Sequence, residues 1–271
     1  MRAFKLTLAY DGTNYSGWQL QPERVTLQGT FERALGKVAG EPIRVVASGR
    51  TDAGVHALGQ VVGFRSATRL QPDVLQRALN SELPDDIAVV AAELVDDDFH
   101  AIASVRRKRY RYLIHDGPIR DIFLRPYVWQ CYRPLDAEAM QRAAQALVGE
   151  HDFSSFETSG SPRESSVRHV FELTVARGQG GLDGWLQPRL VPEASLSTGE
   201  ATGQGGHVIR IEIEADGFLY NMVRAIVGTL VEVGHGKRDE AWPGEALAAC
   251  DRKAAGRTAP PQGLFLLRVD Y

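Results

Sequence analysis

The order of predicted strands and helices constrains the fold of this chain most, because the same order occurs twice along the sequence. In residues 1–104, stretches that alternate every second residue predict strands, and two stretches with helical spacing of apolar residues predict helices. The predicted order there is β-α-β-β-α-β. Residues 105–271 repeat this order, with one extra helix before the last strand.

A repeated β-α-β-β-α-β order predicts an α+β fold. It is the order of split β-α-β units, in which an antiparallel sheet carries both helices on one face. We therefore predict two tandem ferredoxin-like units that form a mainly antiparallel sheet with a central cleft. The first unit, residues 1–104, carries the candidate catalytic loop. The second unit, residues 105–271, includes a glycine-rich excursion at 178–206 that we predict to be flexible.

Composition narrows the class of protein. Of the 271 residues, 44% are hydrophobic and 24% are charged, which excludes disordered, collagen-like and coiled-coil chains. No apolar stretch approaches the length of a membrane span, and we expect no signal peptide because the N-terminus lacks its apolar core. The two cysteines, Cys131 and Cys250, form no disulfide framework. These features predict a protein of the reducing cytoplasm.

Total charge does not identify a partner. Lys and Arg number 31 against 34 Asp and Glu, so the net charge of −3 does not indicate a strongly basic nucleic-acid binder. One cluster stands out, however, and its members are Arg106, Arg107, Lys108, Arg109 and Arg111. It suits either a solvated strand of like charges or a surface that binds phosphates.

The loop at residues 48–57 is the strongest candidate for chemistry. Its small residues, two of them glycines, permit a tight turn and the close approach of a ligand. Arg50 lies beside Asp52 and favours its ionised form, which suits a nucleophile or a general base. From spacing alone, Asp52 could instead stabilise its own turn, and His56 is an ordinary loop histidine.

The sequence contains no motif for a metal or a nucleotide cofactor. The histidines are scattered, with no H-E-x-x-H motif and no cysteine pair. Neither G-x-x-x-x-G-K-[ST] nor G-x-G-x-x-G occurs. We therefore expect no metal and no organic cofactor.

Several motifs follow one another along nearly the whole chain. The loop contains GRTDAGVH at 49–56, with GQV at 59–61. The other motifs are YDGTNYSGWQ at 10–19, TLQG at 26–29, KRYRY at 108–112, GFLYNMVR at 217–224 and GLFL at 263–266. Together, and in this order, they resemble the tRNA pseudouridine synthase A family.

The resemblance implies an isomerase that converts uridine to pseudouridine at positions 38, 39 and 40 of the tRNA anticodon stem-loop. The N1–C1′ bond breaks, the uracil turns, and C5 rejoins C1′. The family's essential aspartate matches Asp52, which either adds to the sugar or removes a 2′ proton. Its stacking tyrosine matches Tyr110, whose hydroxyl could help to move the C5 proton.

Other matched positions imply contacts with the substrate. Arg50 matches the arginine that takes the place of the flipped base. Arg224 matches an arginine that pairs with the aspartate, and Phe265 matches an apolar residue against the base. The family also implies a homodimer that acts on tRNA.

The resemblance gives the basic cluster a purpose. On the strand that carries Tyr110, Arg109 and Arg111 alternate to the other side, where they could contact RNA phosphates. Recognition of a folded stem-loop is then expected to depend on shape and backbone. The excursion at 178–206 is longer than the family usually carries, which affects expectations for the second unit and not for Asp52.

Two alternative functions stay open at this point. The first is a non-catalytic tRNA-binding module on the same scaffold, although binding alone needs no carboxylate facing a polyanion. The second is a small-molecule enzyme, such as a glycosidase-like hydrolase. Such enzymes usually need two acidic groups at the bond, and this loop offers one.

Overall fold

The computed structural model describes residues 1–158, 165–178 and 206–271. These residues form a mixed α+β fold whose strands pair mostly antiparallel, which confirms the predicted fold class. In this part of the chain, no helix has the length and apolar character that crossing a membrane requires. The excursion predicted at 178–206 lies outside the described residues, except for its first and last positions.

Residue contacts divide the chain into two compact units. The first unit consists of Met1–Tyr110, Glu214–Gly217 and Pro260–Tyr271. The second unit consists of Arg111–Ile213 and Phe218–Ala259. The C-terminal strand therefore belongs to the first unit, together with the N-terminal part of the chain. The boundary near Ser104 stays a prediction.

The first unit contains the β-α-β-β-α-β order predicted for residues 1–104. Its elements are β1 (Arg2–Tyr10), α1 (Leu27–Ala39), β2 (Val46–Ala47), β3 (His56–Ser66), α2 (Pro72–Glu82), β4 (Ile87–Val95), the start of β5 (Arg107–His115) and the C-terminal β10 (Leu264–Asp270). Strand β1 lies between β4 and β3 and pairs antiparallel with both, while β2 pairs with β3. Strand β10 lies between β3 and β5 and runs parallel to β3.

Period-two alternation explains the core of the first unit. In β1, the side chains of Phe4, Leu6 and Leu8 are fully buried, while the residues between them are half-buried. Phe4 stacks on Phe64 of β3, with ring centroids 5.3 Å apart. Because a shift of one residue would move this whole set to the other face, the apolar pattern fixes the register of β1.

Local signals fix the ends of α1. The Thr26 hydroxyl accepts a hydrogen bond from the Gly29 backbone N–H, so the sequence caps the first turn. Gly40 ends the helix in the left-handed conformation, with φ at 75°. The helix buries Leu27, Phe31 and Leu35 on one face.

The second unit is built around an apolar helix. Its elements are the rest of β5, β6 (Trp129–Gln130), α3 (Ala137–Ala144), β7 (Gly149–Asp152), β8 (Val167–Arg177), most of β9 (Val208–Ala215), α4 (Met222–Gly234) and α5 (Trp242–Ala248). Strand β9 lies between β5 and β8, and β7 pairs antiparallel with β8. Helix α4 is buried on nearly all sides, as its apolar sequence predicts.

The sequence patterns missed two strands of the second unit. Strand β6 has two residues and β7 has four, so neither is long enough to show an alternating pattern. Helix α3 is followed directly by a 3-10 turn at Gln145–Leu147. The predicted strands and helices are otherwise present in the predicted order.

Candidate active site

The candidate catalytic loop, residues 48–55, connects β2 to β3 in the first unit. Its backbone is hydrogen-bonded at both ends, from Ser48 N to Val61 O at 2.8 Å and from Val55 N to Asp52 O at 3.1 Å. Asp52 is half-buried, Thr51 is buried, and Arg50 is exposed. The loop therefore presents Asp52 at a position where its carboxylate is partly shielded from water.

A second segment, residues 11–18, packs closely against this loop. The Trp18 backbone N–H donates to Thr51 O at 2.9 Å. Gly12 approaches so closely that a Cβ there would lie 2.0 Å from Val55 O. Gly17 has a φ of +86°, and its Cβ would lie 2.9 Å from Thr51 O. Both positions require glycine, because a side chain would displace the backbone of the catalytic loop.

A cluster of buried polar side chains lies behind the loop; we call Tyr10, Ser48, Thr51 and Gln60 the Gln60 cluster. The Tyr10 hydroxyl and Thr51 Oγ1 are 2.8 Å apart, and Gln60 Nε2 donates to Tyr10 at 3.4 Å. Ser48 Oγ donates to Gln60 Oε1 at 2.7 Å. Burial raises the pKa of Tyr10 to about 12, although hydrogen bonds with Thr51 and Gln60 oppose that effect. The Tyr10 hydroxyl is therefore protonated at neutral pH.

Tyr110 lies on β5 and is 8% exposed. Burial raises the pKa of Tyr110 well above its usual range, and electrostatic interactions with Tyr10 and with the Asp52 carboxylate raise it further. The charge of the Asp52 carboxylate therefore acts on the Tyr110 hydroxyl. The structure thus brings together Asp52 and Tyr110, both predicted from the sequence, and it keeps the phenol neutral.

Phe265 lies where the catalytic loop enters β3. Its ring stacks on the buried His56 ring, with centroids 4.7 Å apart and planes 24° apart. The parallel pairing of β10 with β3 sets this contact, because Phe265 and His56 are partners in the register. His56 Nδ1 in turn lies 3.1 Å from the Gly12 backbone N, which donates to it.

Lys108 belongs to the basic cluster at 106–111, and the structure also places it at this site, a role that was not predicted from the sequence. Its ammonium donates to Ser48 O at 2.7 Å, and a Cβ on Gly49 would lie 3.0 Å from Lys108 Nζ. The signal was available, because alternation along β5 places Lys108 on the same face as Tyr110. The charge of the basic residues at 106–111 does not distinguish one from another. The face of β5 on which each residue lies does distinguish them.

Arg109 and Arg111 alternate away from Tyr110, and each pairs with a glutamate. Arg109 Nε donates to Glu214 Oε2 at 2.9 Å, and Arg107 and Arg268 pair with the same carboxylate. Burial alone would raise the pKa of Glu214, but hydrogen bonds from Arg109 and Arg107 hold it below its usual range.

Arg111 is much more deeply buried, at 1% exposure. Its Nε and Nη2 donate to Glu212 Oε1 at 3.0 and 2.7 Å. A guanidinium in this position cannot reach a phosphate without leaving a buried carboxylate. The placement therefore gives no support to the prediction that Arg111 contacts RNA.

Arg224 belongs to the second unit, where it lies in the first turn of α4. It is half-buried, and its guanidinium donates to Ala259 O at 2.7 Å and to Asn221 Oδ1 at 2.8 Å. These two contacts hold the side chain in one orientation. Among the described residues, no group of three or more His, Cys, Asp or Glu side chains is arranged to hold a metal ion.

Comparison with known proteins gives a consistent result over the whole chain. A family model described as tRNA pseudouridine synthase matches residues 7–102 and 143–271. The tRNA pseudouridine synthase A of Moorella thermoacetica is 48% identical over 274 aligned positions, covering all of both chains. The proteins of the same name from Brevibacillus brevis and Thermoanaerobacter sp. are 45% and 44% identical, again over all of both chains.

The close approach of Gly12 to the loop predicts the effect of a single methyl group. We expect Gly12→Ala to destabilise the protein by about 1–3 kcal/mol, because the added Cβ collides with the Val55 carbonyl. Gly36→Ala in α1 is the matched control, since its Cβ would meet only an ordinary contact, 3.5 Å from Glu41 O. We expect this control to stabilise the helix by about 0.5–1 kcal/mol. Thermal unfolding measures both, and equal effects would contradict the packing described for Gly12.

The burial of Arg111 predicts a structural and not an RNA-binding role. We expect Arg111→Met to destabilise the protein by about 3 kcal/mol in urea unfolding, because it leaves Glu212 buried without its main partner. Arg107→Met is the control: the Arg107 side chain is half exposed, and Glu214 keeps Arg109 and Arg268 as partners, so this change should cost at most about 1 kcal/mol. Folded Arg111→Met should bind tRNA as wild type does. A large loss of tRNA affinity with unchanged stability would show that Arg111 contacts RNA after all.

Proposed function

Because this chain belongs to the tRNA pseudouridine synthase family, and so is an isomerase that forms pseudouridine in tRNA, we propose that Asp52 is its essential catalytic residue. One observation carries the proposal. Asp52 is half-buried on a loop that β5 contacts directly, through the hydrogen bond from Lys108 Nζ to Ser48 O at 2.7 Å, and the charge of Asp52 acts on the buried Tyr110 hydroxyl of the same strand. A carboxylate in such a place suits attack on a sugar or removal of a proton.

The reaction requires little beyond this arrangement. The N1–C1′ bond of uridine breaks, the uracil turns, and a C5–C1′ bond forms. The proton lost from C5 balances the proton gained at N1, so substrate and product contain the same atoms. Asp52 either adds to C1′ or removes the 2′ proton, and both routes need its ionised form in a site with little water. We propose uridines 38, 39 and 40 of the anticodon stem-loop as the substrates.

Tyr110 and Phe265 are proposed to hold the base. The Tyr110 ring would stack on uracil, and its neutral hydroxyl would accept the C5 proton only as it releases its own. This order follows from the raised pKa of Tyr110, which leaves no preformed phenolate at neutral pH. Phe265 is already fixed against His56, so its ring offers a rigid apolar surface.

We propose roles for Arg50, Arg109 and Arg224, and each role is supported by a different kind of observation. Arg50 is exposed on the loop, where its guanidinium could take the place of a flipped base. For Arg109 we propose a phosphate contact. Three arginines pair with Glu214 and one of them also pairs with Asp270, so in this group of five side chains one positive charge is left in excess. The role of Arg224 toward the aspartate stays a prediction from its motif.

We also propose that the chain has two tandem ferredoxin-like units and acts in the cytoplasm. The order β4-β1-β3, with β2 on the other side of β3, supports the first of these units. For the second ferredoxin-like unit, predicted at residues 105–271, the strand order β10-β5-β9-β8 agrees with the same topology.

The substitution of Asp52 tests the proposed function. With unmodified tRNA that carries uridines at 38–40, and with no added cofactor, wild type should form pseudouridine at those positions. Asp52→Asn keeps the size of the side chain but removes its charge, so it should form none while still binding tRNA. Asp73→Asn, which alters an exposed carboxylate on α2, should retain full activity.

Each other outcome has a distinct meaning. Product formed by Asp52→Asn would refute the assignment of Asp52 and leave the family activity intact. Binding of several tRNAs without product by the wild type would favour the non-catalytic module. Conversion of a free nucleoside, with no tRNA binding, would favour a small-molecule enzyme.

A homodimer is the partner that we propose for this chain. In the second unit, Ile119 and Phe123 are 81% and 78% exposed, and Ile122 is also exposed nearby. An exposed apolar group of this kind marks an interaction surface. We expect wild type to have the mass of two chains by light scattering, and Ile119→Ser/Phe123→Ser to shift it toward one chain. Val90→Ser, at an exposed valine of the first unit, should not. A monomeric wild type would contradict the proposal.

A further inference from the structure

Gln60 occupies a place that an apolar side chain would fill more easily. It lies within β3, whose other residues are largely apolar, and it is 0% exposed. A buried amide destabilises a fold unless its polar atoms are hydrogen-bonded. Gln60 Oε1 accepts from Ser48 Oγ at 2.7 Å, and Nε2 donates to Gly49 O at 2.8 Å and to the Tyr10 hydroxyl. All of its polar atoms are therefore used.

The hydrogen bond from Gln60 restrains the Tyr10 hydroxyl. Its oxygen accepts a hydrogen from Gln60 Nε2, so its own hydrogen is available for Thr51 Oγ1, 2.8 Å away. A continuous path of hydrogen bonds thus links Gln60 through Tyr10 to Thr51, the residue immediately before Asp52. Both hydroxyls are buried, which strengthens the hydrogen bond and makes its loss costly.

The same part of the loop is also held from β5. Lys108 Nζ donates to Ser48 O at 2.7 Å. Side chains from β1, β3 and β5 thus hold the loop at Thr51, Gly49 and Ser48 respectively. Backbone contacts alone would leave the Thr51 side chain without a fixed rotamer, and the Tyr10 hydrogen bond supplies that constraint.

We propose that Tyr10 and Thr51, supported by Gln60, are positioning residues that fix the direction of the Asp52 carboxylate. The inference rests on the proposed function of Asp52 and extends it to residues that do not touch the substrate. With its side chain anchored to Tyr10, Thr51 has less freedom in its backbone dihedrals, and these dihedrals set where the Asp52 side chain points. A misplacement of about 1 Å at a reacting group can lower the rate about a hundredfold. We expect the effect in kcat, because neither hydroxyl is proposed to contact tRNA.

The test removes one hydroxyl at a time with little change of shape. In Tyr10→Phe and in Thr51→Val, we expect kcat for pseudouridine formation to fall about tenfold to a hundredfold. KM for tRNA should change less than about threefold. The double variant Tyr10→Phe/Thr51→Val should be no slower than the slower single variant, because both changes remove the same hydrogen bond. Thr51→Ser keeps the hydroxyl and should restore most of the rate.

The control separates positioning from loss of stability. Ser66→Ala removes another buried hydroxyl from β3, where Ser66 Oγ donates to Glu41 Oε1 at 2.5 Å. It should lower the melting temperature without changing kcat. Steady-state kinetics with tRNA as the varied substrate give kcat and KM, at a temperature below the melting temperature of every variant. A variant that does not fold is replaced by Gln60→Glu, which loses the amide donor to Gly49 O and to Tyr10 and should lower kcat likewise.

Three outcomes would overturn the proposal. They are wild-type kcat in both single variants, effects that multiply in the double variant, and a Thr51→Ser variant as slow as Thr51→Val. The comparison with Asp52→Asn separates this failure from failure of the proposed function. If Asp52→Asn is inactive and Tyr10→Phe is fully active, only the positioning role is wrong. If Asp52→Asn is active, the proposed function itself is wrong.

Discussion

The candidate active site depends on the hydrogen bonds that hold the first half of the catalytic loop. The loop has few large apolar side chains, so it cannot be fixed by burial alone. Side chains from β1, β3 and β5 satisfy its polar groups instead, at Ser48, Gly49 and Thr51. From the other direction, residues 11–18 approach so closely that two positions admit only glycine. An irregular segment can thereby hold a carboxylate as firmly as a regular element would.

In the first unit, the two faces of β5 differ in charge. The face toward the loop has mainly neutral groups near it, and the opposite face has most of the charged side chains. On the loop face, the phenols of Tyr10 and Tyr110 have raised pKa values and stay protonated. On the other face of β5, Arg107 and Arg109 gather on Glu214, whose pKa is lowered. Alternation along one strand is sufficient to produce this separation, because successive side chains point to opposite faces. Lys108 is the exception on the loop face, and its ammonium is used to hold Ser48.

The sequence predicted the longer strands and helices and the candidate loop. It did not predict which distant strands pair or which charged side chains are buried. Alternation in β1 and β3 and helical spacing in α1 are local properties, so they could be recognised in one sequence. The parallel pairing of β10 with β3 could not, because no local pattern specifies a distant partner. Alternation placed Arg109 and Arg111 on one face but gave no indication that Arg111 is buried against Glu212. In the sequence, the Gln60 cluster is visible only as one amide side chain in an apolar stretch. The hydrogen-bond partners of Gln60 come from distant parts of the chain.

The neutrality of the two tyrosines has a consequence for the reaction. Because the pKa of Tyr10 is about 12, its hydroxyl keeps the same hydrogen throughout the physiological range, and its bond to Thr51 does not change with pH. Tyr110 is likewise neutral, since burial and the nearby Asp52 charge both oppose its ionisation. A redox-neutral isomerisation needs a correctly directed carboxylate and a group that can pass on one proton. In the first unit, burial keeps both phenols protonated near neutral pH, so a pH dependence of the rate in that range would report groups other than Tyr10 and Tyr110.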